Sequence, residues 1–156
     1  MKNNMFATAL LSLALVTSLS NLSYAKSLSD STASSTPPMP RIFSNARFVY
    51  VAAYDGDQFN PNLLPEDREA IARVEQAIQK WGKLTVVYRP QDADVILMVQ
   101  SRASEDVLAV YDAHRGDESS RPSSTYLWRV MGRGGLQKGE APLLSQFETA
   151  WDNMAK

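Results

Sequence analysis

The chain has 156 residues, a formal net charge of -1 and no cysteine. That length fits one domain of roughly 100–200 residues, and an apolar fraction of 44% supports a packed core. The near-neutral charge excludes the basic footprint of a nucleic-acid binder. The missing thiols exclude a disulfide framework and a lipid-bearing cysteine.

The first residues read as a targeting segment. Lys2 supplies a positive start, Met5 to Val16 an apolar run, and Ser23-Tyr24-Ala25 the small-any-small pattern of a signal-peptidase site. The run is shorter than the about 20 apolar residues that a membrane helix needs. We therefore expect residues 1–25 to be a signal peptide cleaved after Ala25, leaving a secreted or periplasmic product with no membrane span.

Residues 26–45 open with KSLSDSTASSTPPMPR, a Ser/Thr/Pro-rich stretch with little to bury. Such a composition does not offset the entropy of ordering it, so it reads as a flexible linker. The remaining residues, 46–156, form a single domain on this reading.

Within that domain Phe48 to Tyr54, FVYVAAY, is β-branched and aromatic and predicts a first strand, β1. Asp55 to Leu64 breaks the pattern with Gly56, Asn60, Pro61 and Asn62. From Pro65 the period becomes helical. Pro65 suits a first turn, Glu66 and Asp67 suit its dipole, and Ile71, Val74, Ile78 and Trp81 share one stripe ahead of a capping Gly82. This is α1.

Leu84 to Arg89 predicts β2, parallel to β1 through a right-handed crossover. Pro90 ends it, Asp92 and Asp94 read as turn residues, and Val95 to Gln100, with its unbroken VILMV, predicts a central strand β3 covered on both faces. Val107 to Asp112 is β4, and Ala113 to Thr125 a long polar loop. Tyr126 to Met131 is β5, Gly132 to Gly139 a connection, and Pro142 starts α2 with the stripe Leu143, Phe147, Ala150, Trp151 and Met154.

The order β-α-β-β-β-β-α, with one apolar face per helix, predicts an α/β fold of the α+β two-layer sandwich type. Both helices cover one face of a five-stranded mixed sheet.

Few side chains carry recognisable chemistry. The single histidine, His114, sits in a loop, and Ser119, Ser120, Ser123 and Ser124 near it match no nucleophile pattern, so no catalytic residue is assigned. One histidine and no cysteine argue against zinc. Asp55, Asp57 and Glu66 fall at the first, third and twelfth positions of a calcium-loop register and are the metal candidates of an alternative reading. Phe59 and Asn60 break that register where an oxygen ligand and a glycine belong. Gly132, Gly134 and Gly135 around Arg133 lack the residues that would make them a phosphate loop. No cofactor is expected.

The sheet face that the helices leave uncovered is the better functional candidate. The strands carry aromatics on both parities: Phe48, Tyr50 and Tyr54 against Val49 and Val51, and Tyr126, Trp128 and Val130 against Leu127. Strand parity is open at this stage. Tyr50, Tyr54, Tyr126 and Trp128 are the partner-surface candidates, for a protein partner or a homo-oligomer.

The motifs Asp92-Ala93-Asp94 before VILMV, then VLAVYDAHRG, then TYLWR, resemble those of small secreted bacterial envelope proteins of unknown function. Similar layouts occur in the amino-terminal domain of the Tol-system β-propeller protein and in curli-secretion-type lipoproteins. The resemblance covers about residues 46–156, carries no catalytic residue, and departs from the lipoproteins in lacking their cysteine. It implies a non-enzymatic envelope module that binds through its apolar sheet face. The alternative is a small-ligand or calcium-binding protein using the Asp55 to Glu66 loop.

Overall fold

A computed structural model describes residues 36–115, 125–136, 141–154 and 156. The elements are β1 (Phe48–Ala53), α1 (Pro65–Trp81), β2 (Thr85–Val87), β3 (Val95–Ser101), β4 (Asp106–Asp112), β5 (Trp128–Gly132) and α2 (Pro142–Met154). The five strands form one mixed sheet in the order β2-β1-β3-β4-β5. β1 is parallel to both β2 and β3, and β4 is antiparallel to β3 and β5. Together they make the two-layer α/β sandwich.

The central position of β3 follows from its composition. Val95 to Val99 are each at most 5% exposed, so neither face of this strand meets water. Parity divides the sheet cleanly. Val51, Leu97, Val110 and Trp128 form one register row facing the helices, where Ile71, Val74 and Ile78 of α1 and Leu143, Phe147 and Trp151 of α2 complete the core. α1 begins at Pro65, whose missing amide costs nothing there. It ends at Gly82, whose φ of 76° admits the left-handed cap and lets its amide bond Ile78 O at 2.9 Å.

β1 and β3 are tied at their starts by Asp94. Its carboxylate accepts the Arg47 and Phe48 amides at 2.8 and 3.0 Å, and these bonds hold it below the usual carboxylate range. The sequence marks this residue as a turn former; its side chain also joins two strands.

The stretch read as linker is structural over residues 36–45. A single 3-10 turn, Arg41–Phe43, drops Phe43 into the core, where it stacks on Trp151 with ring centroids 6.3 Å apart. Met39 is buried beside it, and Pro37 O accepts the Trp128 indole N–H at 2.7 Å. Met39 and Phe43, with the Trp128 bond to Pro37, anchor the segment, while Ile42 between them stays 51% exposed. The expected signal peptide, residues 1–25, lies outside the described residues. Among the described residues no helix is long and apolar enough to cross a membrane.

Candidate functional site

The second face of the sheet is built from the other parity. Register places Val87, Tyr50, Ile96 and Tyr111 in one row, and Ala52, Met98, Ala109 and Arg129 in the next. Neither α1 nor α2 lies on this side, and only Ala113, in a 3-10 turn after β4, packs at its edge. Its centre is nevertheless dry, because its own tyrosines lie down over it. The Tyr54 and Tyr111 hydroxyls meet 3.3 Å apart across the row that holds Ala52 and Ala109. Tyr50 donates to Asp57 Oδ2 at 2.9 Å, which brings the loop after β1 back over the sheet. Burial first, and then these hydroxyl contacts, push the Tyr50 and Tyr111 phenols well above the usual tyrosine range. Both stay protonated and able to donate.

The four aromatic candidates therefore separate. Tyr54 and Tyr126 are each 46% exposed and belong to an accessible patch. Tyr50 is on the same face but only 8% exposed, so it supports the patch from beneath. Trp128 is a correction. It is 2% exposed on the helix side, edge-to-face with Phe147 at 5.9 Å. Strict alternation would put Trp128 and Tyr126 on one face, but the strand begins only at Trp128 and Leu127 also packs on the helix-side core. The chain turns between them, and Tyr126 swings to the other side.

Two members of the patch went unmarked in the sequence reading. Met131, on β5, is 46% exposed. Arg129 lies two residues earlier on the same face, its guanidinium carbon 5.5 Å from the Tyr126 ring centroid in a cation-π contact. Its Nε is buried and has no hydrogen-bond partner. The available signal was period two: once Trp128 and Val130 face the core, Arg129 and Met131 must share the other side.

A second polar cluster forms where β1 and β3 end and α1 begins. Asp67 is 1% exposed; both of its oxygens lie 2.7 Å from Arg102 Nη1, and Oδ1 also accepts the Ser101 amide at 2.8 Å. Asp106, fully buried, accepts Ser101 Oγ at 3.0 Å and the Leu136 amide at 2.8 Å. Asp67 holds the Arg102 guanidinium proton more firmly than usual. Asp67 falls on the α1 stripe four residues before Ile71, so its burial was legible from spacing alone. The open cavity beside it is walled by Glu66, Glu69, Arg73 and Arg102, and Arg73 is itself bonded to Glu69 and to Leu136 O. Arg73 with Glu69, and Arg102 with Asp67 and Asp55, satisfy one another, which is how a structural network is built.

The calcium candidates are not brought together. Asp55 pairs with Arg102 at 3.2 Å, Asp57 accepts Tyr50 and the Phe59 amide, and Glu66 is exposed at the start of α1. Among the described residues no group of three metal-ligating side chains forms. His114 is exposed with Nδ1 3.5 Å from Asp112 Oδ1, and Ser119, Ser120, Ser123 and Ser124 lie outside the described residues. The glycine-rich turn serves packing. A Cβ on Gly135 would stand 2.4 Å from Leu143 Cγ, so this glycine lets the loop touch α2.

No protein-family model matches this chain, and no curated protein does. Among solved structures it is similar to the PelC dodecamer from Paraburkholderia phytofirmans, at 15% identity and a TM-score of 0.36 over 78% of this chain and 89% of that one. A variant of the same dodecamer gives 13% identity and a TM-score of 0.34 over 78% and 92%. An uncharacterized lipoprotein B from Nitrosomonas europaea gives 15% identity and a TM-score of 0.30 over 76% and 77%. None of these three is a Tol-system propeller domain.

Proposed function

We propose that this protein is a secreted or periplasmic, non-enzymatic module of the cell envelope that binds a protein partner, or another copy of itself, through the sheet face opposite its helices. The observation that carries this reading is the patch of Tyr54, Tyr126 and Met131 exposed together with Arg129 on a face that neither α1 nor α2 covers. Tyrosine, methionine and arginine are the residues enriched where proteins meet. The signal-like segment at residues 1–25 supports the location. The calcium alternative draws no support from Asp55 and Asp57, whose carboxylates are engaged elsewhere.

Site-specific photocrosslinking tests the reading. A photoreactive residue at position 126 should trap a partner or a second copy in envelope extracts, while one at Gln76 on the exposed side of α1 should not. Crosslinks from position 76 alone would sink the proposal.

A further inference from the structure

Three arginines among the described residues are half-buried: Arg73, Arg102 and Arg129. Arg73 bonds Glu69 at 3.0 Å and Arg102 bonds Asp67 at 2.7 Å. The Arg129 side chain has no ion pair with a described residue, and its Nε is withdrawn from water without an acceptor. A buried unsatisfied donor costs stability, so keeping Arg129 needs a return, and what the side chain offers a partner is its pair of terminal nitrogens. Tyr126 fixes the guanidinium in place by lying against it, which pre-orders the fork for a planar acceptor.

We propose that Arg129 is the recognition point for a carboxylate on a docked protein segment, an Asp or Glu flanked by apolar side chains that settle on Tyr54, Tyr126 and Met131. This rests on the reading of the sheet face as a docking surface and adds the chemistry of the occupant. A carboxylate matches the two terminal nitrogens of the guanidinium with two parallel bonds, while Nε stays beneath them. The surroundings select a protein over a polyanion. Arg129 is the one cation among the described strand residues of this face, whereas a polyanion is tracked by several. The exposed neighbours are two tyrosines and a methionine, each 46% exposed, suited to apolar side chains on either side of the acid. Tyr54 and Arg129 both act on Tyr111, which places the aromatic and cationic parts within one electrostatic neighbourhood.

The test uses the purified protein against a phage-displayed library of random twelve-residue peptides, with one selected peptide then synthesised together with its Glu-to-Gln or Asp-to-Asn form. Selected peptides should carry an acid beside an aromatic or aliphatic residue. Affinity should fall about tenfold or more with Arg129→Gln or with the amide peptide. The two changes together should cost little beyond either alone, as expected of one shared contact. Arg129→Lys, which keeps the charge and loses the fork, should retain part of the affinity, and matched circular-dichroism melts establish that each variant folds. Amide shift mapping locates the peptide. Binding at Tyr54, Tyr126 and Met131 that is within about twofold in Arg129→Gln would overturn the carboxylate inference and leave the docking face standing. Binding on the helix layer, or no selected peptide, would overturn both.

Discussion

Asp67 and Arg102 meet with both carboxylate oxygens 2.7 Å from one guanidinium nitrogen, the acid almost fully buried and the base half-buried. This asymmetry decides what each variant does. Removing the arginine strands a charge in the core, while the acid keeps only its bond from the Ser101 amide. Arg102→Ala should therefore lose about 3 kcal/mol in urea unfolding. A loss below about 1 kcal/mol would mean that water reaches Asp67 and that the pair is a surface one.

Glu75 gives a pH-dependent prediction. Burial on α1 raises its carboxyl above the usual glutamate range, so the folded state holds its proton more tightly than the unfolded chain. The associated stability is complete below the unfolded value of about 4.3 and is lost as pH rises through the raised folded value. Glu75→Gln should thus melt higher than wild type at pH 7, and the gap should close near pH 4. A gap that is unchanged between the two pH values would refute the assignment.

Gly135 and Leu143 are placed too close for a methyl group between them. Gly135→Ala should cost about 1–3 kcal/mol through overpacking. Combining it with Leu143→Ala should cost less than the sum of the two single losses, because the second change clears the space that the first one fills. Strict additivity would show that the glycine is needed for its backbone alone.

Arg129→Met removes a buried donor without an acceptor and keeps much of the side-chain volume. It should raise the melting temperature by about 2–6 °C, equivalent to about 1 kcal/mol. A residue that stabilises the fold when deleted and abolishes binding when deleted is kept for binding. A lower melting temperature for this variant would count against an orphaned donor.

The sheet was readable wherever pattern and burial agree. VILMV has no polar break and becomes the innermost strand; the stripe from Ile71 to Ile78 becomes the face of α1. Readability failed where one residue departs from its neighbours. Met39 stands alone among prolines and Phe43 stands beside an equally apolar Ile42 that remains exposed, so no period marks them, and only their contacts across the chain do. Asp67 satisfied a helix-dipole explanation and so hid a second one, although its place on the stripe gave it away. Tyr126 and Trp128 share parity, yet the chain turns before the strand begins and places them on opposite sides. Arg129 needed Trp128 to be placed first.

The Phe43 and Trp151 stack has a practical meaning for handling the molecule. Residues 36–39 run beside Thr149, Ala150, Asn153 and Met154, so the stack fastens this segment to the flank of α2. A surface linkage made at Asn153, which is exposed on that flank, takes hold of the helix layer. Tyr54 and Tyr126, exposed on the opposite face of the sheet, are then turned away from the support.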